Sequence, residues 1–366
     1  MIGCPCDPEV IPAAVFSLNA HATYRCRHSG ACCTAGWTIP VEPQLQSRVG
    51  ADWLVPRADG ACPQYEHHTG LCHLHRTGGE ALLPGSCHHF PRRALIDGRG
   101  IFIALSLYCP TAARMLLESE EPLRIQSEPP AFPAARGYEG LDASGEWPPL
   151  LRPDALFDEE SFGVWEAHLV ERVGNGKDSV ESTLAQLAVT GERLRGWSSA
   201  DGSLAEWTRT VLNAEAGADP QPAGLRYVGF GSPSAYRRVL AAVPAGLDAP
   251  TIPASFDEID ARLVAPFWNA QASLVRRYLG AKAFASWTAY QSRGLRTQIA
   301  ELFLAAAVLR VECVRACARR GTPLDRRAII EAARGADLLL VHLADRETLL
   351  TWLGKVESDA AANGRR

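Results

Sequence analysis

The chain has 366 residues, 47% of them apolar and 21% charged. That is enough to bury a full core and to build about two domains, which excludes a disordered tail or a fibre. The 37 Lys and Arg against 41 Asp and Glu leave a formal charge of −4 with no run of either sign, which argues against a nucleic-acid or anionic-membrane partner.

Residues 1–19 read as an N-terminal extension in which Cys4 and Cys6 flank Pro5 at an end expected to fray. The start has neither a basic segment nor an apolar run of the secretory kind, so the expected setting is a reducing cytoplasm. Residues 20–118 alternate short apolar pieces with Cys, His, Gly and Pro, a loop-rich pattern suited to a domain that a metal holds together. Within it Ala94 to Ile96 and Ile101 to Leu105 flank the four-residue turn Asp97-Gly98-Arg99-Gly100 and predict a short β-hairpin. Pro110 opens a predicted helix over Thr111 to Glu118.

Between 119 and 153 stand Pro122, Pro129, Pro130, Pro133, Pro148, Pro149 and Pro153. Such a density of breakers predicts an irregular linker. From 154 to 366 the pattern turns helical. Phe162, Trp165 and Leu169 share a face, as do Val180, Leu184 and Leu187, then Trp207 with Val211, Leu274 with Tyr278, and Leu302 with Val308 and Val311. The longest apolar run, Leu302 to Leu309, is far shorter than the roughly 20 residues that cross a bilayer, so it reads as a buried helix. Gly246, Gly280, Gly294 and Gly321 are read as helix ends, and the well-spread tryptophans as core. The expected fold is mainly α: a small cysteine-cluster domain with a β-hairpin, followed by an all-α domain.

The cysteines are the outlying feature. Nine of the eleven lie in the first 109 residues, and seven of those, Cys26, Cys32, Cys33, Cys62, Cys72, Cys87 and Cys109, fall in one window. Soft thiolates at this density suit zinc or an iron–sulfur cluster, either of which takes about four protein ligands. All seven are therefore candidate metal ligands. The spacing excludes the C-x2-C pairs of a zinc ribbon, the C-x3-C-x2-C triplet of radical S-adenosylmethionine chemistry and the ferredoxin run. Adjacent Cys32 and Cys33 point to opposite sides of an extended chain, so both reach one ion only if the backbone is kinked there, and one is expected to face elsewhere. Cys109, ahead of a helix start, is placed to favour thiolate, and Arg92 and Arg93 follow Cys87 where they offset cluster charge.

His28, His67, His68, His73, His75, His88 and His89 lie in the same window, with His73 beside Cys72 and His88 beside Cys87 the best candidates to supplement the thiols. Cys313 and Cys317 share a helical face with no partner pair and read as core. Glu80, Asp97, Tyr108 and Arg114 are near enough in sequence to serve as base or clamp. No glycine fingerprint marks a nucleotide or cofactor fold.

The window resembles the YkgJ-type cysteine-cluster proteins described as zinc- or iron-chelating, and more specifically the flagellin lysine-N-methylase family. The matching pieces are Cys26, Cys32-Cys33, Gly36-Trp37, Cys62-Pro63, Leu71-Cys72, Gly79 to Leu82, Cys87 with Phe90-Pro91-Arg92, Ser106, and Cys109-Pro110 with Ala112 to Arg114. The likeness continues more weakly over Phe157 to Trp197, Tyr278 to Phe284, Leu302 to Val314 and Asp337 to Trp352. It implies an iron–sulfur cluster, 4Fe–4S in type, and methyl transfer from S-adenosylmethionine to lysine side chains of a protein, flagellin-like or other. Two departures stand out: Ser29 occupies a position where the family carries a further Cys, and His88 stands where Arg is usual. The rival reading is a non-catalytic zinc or iron–sulfur protein whose helices bind a partner. A third is redox sensing through Cys32 and Cys33.

Overall fold

β1 (Val15–Leu18) starts the described part of the chain. The structure, a computed structural model, describes residues 14–134, 137–214, 227, 230–231, 233–247 and 249–358. Cys4 and Cys6 lie outside the described residues.

The cysteine-rich stretch is built from very short elements. β2 (Ile39–Pro40) pairs antiparallel with β3 (Trp53–Leu54) around α1 (Pro43–Val49), and β4 (Tyr65–Glu66) pairs with β5 (Leu71–Cys72). α2 (His73–Gly78) and α3 (Gly85–His89) follow. A small core of Val41, Leu54 and Leu74, with Ile39, Leu45 and Leu83 against it, holds this lobe.

The predicted hairpin is present as β6 (Arg92–Asp97) and β7 (Gly100–Leu105), with Asp97 paired to Gly100. The turn is thus two residues, not four: the Asp97 carboxylate accepts the Arg99 N–H at 2.9 Å and closes it. The sheet runs β8-β1-β7-β6-β9, with β1 parallel to β7, β6 parallel to β9, and β8 antiparallel to β1. α4 (Pro110–Glu118) leaves the hairpin with Pro110 in its first turn, as predicted.

The linker expectation is corrected. β8 (Ile125–Ser127), β9 (Gly140–Asp142) and β10 (Leu150–Arg152) fall between 119 and 153. Their prolines flank the strands and do not interrupt them, and β8 and β9 are edges of the sheet, where one side of the backbone needs no ladder partner. β1, inside the expected extension, is an inner strand. β11 (Ala155–Leu156) pairs back on β10 before the helices begin.

The helical periodicity is borne out. α5 (Glu159–Asn175) buries Phe162, Trp165 and Leu169, and α6 (Val180–Arg195) buries Val180, Leu184 and Leu187. α7 (Leu204–Asn213), α8 (Ser234–Ala241), α9 (Ala272–Ala283), α10 (Leu295–Arg320), α11 (Arg326–Asp337) and α12 (Arg346–Leu353) complete the body. Asp158, Ser179, Ser203, Asp325 and Asp345 cap five of these helices with side-chain acceptors. Gly321 ends α10 in the left-handed conformation. Gly280 is not a helix end: it lies inside α9, where a Cβ would come within 3.1 Å of Gly174 Cα in α5, so its role is close helix approach. Cys313 and Cys317 are fully buried in the core. Among the described residues no helix is long and apolar enough to cross a membrane.

Sheet and helices share one apolar core that runs from Val15 to Val356. Polar groups lock the two together. The Asp337 carboxylate, at the end of α11, accepts from Leu107 N at 2.6 Å, Ser106 Oγ at 3.2 Å and Lys282 Nζ at 2.9 Å. Arg99 at the hairpin turn reaches Glu166 of α5 at 2.9 Å. α11 then widens into a π-helical turn over Leu338–Leu343, whose His342 Nε2 lies 2.7 Å from Ser106 Oγ. The helical body therefore grips the loop that leads to Cys109.

Candidate metal centre

All seven candidate cysteines line one pocket of about 120 Å³. They arrive from the 26–33 loop, the segment before β4, β5, α3 and the start of α4, and every one is a free thiol. Cys26 and Cys32 are exposed, Cys33, Cys62, Cys72 and Cys87 half-buried, and Cys109 buried. The thiols thus run from mouth to floor.

Cys32 and Cys33 correct an expectation. Cys32–Thr34 is a turn of 3₁₀-helix, so successive side chains rotate around the axis instead of alternating, and both thiols line the pocket with their sulfurs 4.0 Å apart. Gly30 makes the bend possible: its φ is +72°, and a Cβ would meet the Tyr65 ring at 2.9 Å. The Cys62 amide donates to Cys33 O at 2.7 Å and ties the next stretch to the turn. Antiparallel pairing of Tyr65 with Cys72 then brings the β5 thiol alongside. Gly85 N donates to Glu42 Oε1 at 2.8 Å, fixing the start of α3 and with it Cys87. Tyr24 Oη lies 3.6 Å from Cys109 Sγ at the floor.

The electrostatics show thiols that feel one another. The Cys33 thiol bonds to Cys32 and Cys72, which pushes its own pKa up and pulls theirs down, Cys72 to about 6 with help from the amides of His75 and Leu74. Burial pushes Cys87 up to about 12, with the charges of Cys32, Cys62 and Cys72 adding to the rise. Burial likewise raises Cys26 and Cys62, and in each the neighbouring cysteines oppose ionisation further. A cation or a cluster core among these sulfurs removes that mutual repulsion, and the donor set is soft. Among the described residues no three Cys, His, Asp or Glu side chains already converge on a single point as an ion cage.

Of the histidines, His28, His75 and His88 line the pocket, with the rings of His28 and His75 4.7 Å apart. His73 does not: its Nδ1 lies 3.0 Å from Glu66, which also pairs with Arg76. His67 pairs with Asp59 and His89 with Glu139. The overlooked signal is the Cys72-x-x-His75 spacing, which puts residues i and i+3 on one side of a helix start. Ser29 is also in the wall, as are Trp37, Phe90 and Arg92. Of the base-or-clamp candidates Glu80 lines the pocket, Tyr108 packs behind it on Trp37 at 5.4 Å, and Arg114 borders a separate cleft. Asp97 is spent on Arg99 and the Tyr290 hydroxyl, at 2.8 Å and 2.7 Å.

Compared with known proteins, the chain matches no family model, no curated protein and no solved structure.

Proposed function

We propose that the seven-cysteine pocket holds an iron–sulfur cluster, 4Fe–4S in type, and that the protein methylates lysine side chains of a protein substrate with S-adenosylmethionine. The observation that carries the metal reading is the convergence of Cys26, Cys32, Cys33, Cys62, Cys72, Cys87 and Cys109 on one pocket. Seven soft thiols exceed the four that one tetrahedral ion takes, and a cluster of several irons draws on the same donor type. The methyl-transfer half rests on the order of motifs from Cys26 to Arg114. A cluster iron supplies a Lewis acid or an electron site.

This chain's own residues give the pocket an entrance and a charge. Arg92 lies in the wall, where its cation offsets thiolate charge. Glu80 is the carboxylate among the lining residues, 61% exposed and 3.9 Å from His88, and in this reading it takes the proton that a lysine ammonium must lose before it accepts a methyl group. The exposed thiols of Cys26 and Cys32 leave the site open to a side chain from another protein.

Zinc is the alternative metal, favoured by the close set of Cys32, Cys33 and Cys72, and it goes with a non-catalytic role in which the helical body binds a partner. Anaerobic purification with iron, sulfide and zinc analysis separates the two. Iron and sulfide in equal amounts with visible charge-transfer absorption is expected; zinc without sulfide overturns the cluster. Labelled S-adenosylmethionine, offered with proteins from the same cell, tests the enzyme: label on lysine is expected, lost in Cys87→Ser. Absence of transfer by cluster-loaded protein leaves the partner-binding reading.

A further inference from the structure

A second cavity, of about 50 Å³, lies between the β6–β7 hairpin and helices α9 to α12. Five charged side chains face it: Arg93, Lys282 and Arg346 against Glu301 and Asp337. The two carboxylates are already matched, Asp337 to Lys282 at 2.9 Å and Glu301 to Arg346 at 3.5 Å. Arg93 is the cation left over. Among the described residues its side chain has no hydrogen bond or ion pair, and its guanidinium lies over the Trp287 ring, 4.6 Å from the centroid. That ring is held in place by its own N–H, which donates to Ala94 O at 3.0 Å.

Arg93 is half-buried, so the five N–H donors of its head are open to solvent and to a ligand's oxygens. Burial holds the Arg93 pKa below the usual arginine value and the charge of Arg346 adds to this, while the charges of Asp337 and Glu301 oppose the fall. Apart from Ser286, whose hydroxyl donates to Glu301, and the rings of Phe284 and Trp287, the rest of the wall is aliphatic, including Leu105, Leu304 and Ala305. The π-helical turn that follows Asp337 also lines it, and such turns are frequent at functional sites.

We propose that this cavity binds a small aliphatic monocarboxylate of acetate size, held by the Arg93 fork on the Trp287 platform. The planar pair of oxygens matches the guanidinium edge, and the alkyl end meets the aliphatic wall. One negative charge balances the one excess cation, whereas a dianion brings its second charge against Glu301 and Asp337. The volume admits about as many atoms as a few waters, which sets the size limit. The inference is independent of what the cysteine pocket holds.

Saturation-transfer NMR on the full chain, titrated with acetate, propionate and hexanoate at constant ionic strength set with sodium chloride, tests it. Acetate and propionate are expected to give saturable transfer and hexanoate none. Arg93→Met is expected to raise the acetate Kd by about tenfold or more, and Arg93→Lys, which keeps the charge without the fork, by less. Ala104→Val narrows the cavity while keeping Arg93 and is expected to abolish binding, so the proposal does not depend on the folding of one variant. No saturable transfer from acetate, full competition by chloride, binding of hexanoate as tight as acetate, or binding undiminished in the variants overturns it.

Discussion

Between Tyr24 and Pro91 the chain makes strands of two residues and helices of five to seven, whereas beyond Glu159 one helix alone runs for 26. The cores differ in the same way. Val41, Leu54 and Leu74 are the buried centre of the cysteine lobe, while the body encloses Trp165, Tyr236 and Tyr278 at full burial. Three aliphatic side chains do little against the conformational entropy of ordering the loops around them. The lobe places its thiols where a larger protein places its leucines, and under the proposed reading a metal held by several loops would supply the cross-linking that apolar burial does not. The body needs no such help.

The widest separation between the two regions is expected on metal removal. Chelation should speed amide exchange across residues 26–91 by about a hundredfold or more, with α5 and α10 remaining protected, as read by exchange mass spectrometry. Equal loss of protection in both regions breaks the comparison. Next in size is Trp165→Ala, which empties a site with 0% exposure and should cost about 3–5 kcal/mol in urea unfolding while leaving metal content unchanged.

Acid sharpens the contrast from the body's side. His21 Nε2–H donates to Ala112 O at 3.0 Å, and its ring is buried. Burial lowers its pKa to about 4, the Ala112 carbonyl opposing the fall; the Arg277 cation lowers it and Asp337 raises it. The unfolded chain, near the ordinary value of 6.5, binds the proton first as pH falls. The stability that neutral His21 contributes is therefore complete above pH 6.5 and lost between 6.5 and about 4. The loss should be about 3 kcal/mol, seen in urea midpoints and flattened in His21→Leu. The smallest effect is expected from Cys313→Ala, about 1 kcal/mol, with metal stoichiometry intact. Cys87→Ser should lose metal instead.

What could be read along the chain followed local physics. The Phe162, Trp165 and Leu169 stripe is a property of consecutive residues and was recovered as α5. Pro110 at a helix start and the Asp97 to Gly100 turn are likewise local, though pairing extended the hairpin by two residues on one side. The proline-rich 119–153 stretch misled because prolines beside edge strands look the same in sequence as prolines in a linker. Gly280 misled for a related reason, since a glycine that admits a neighbouring helix and one that ends a helix carry the same letter. Cys32 and Cys33 point apart only on an extended backbone, and Gly30 permits a tight turn there that neighbouring letters do not announce.

Periodicity, turn chemistry and residue type are written in neighbouring letters, and they are enough for the helical body, the hairpin and the set of thiols. Three features come from the packing of the folded chain: seven cysteines share one pocket, His75 joins them while His73 turns to Glu66, and Arg93 faces a cavity without an ion-pair partner. Each of these depends on which distant segments meet. Asp337 and His342 meet the Ser106 loop across more than two hundred residues, and no local pattern encodes a contact of that separation.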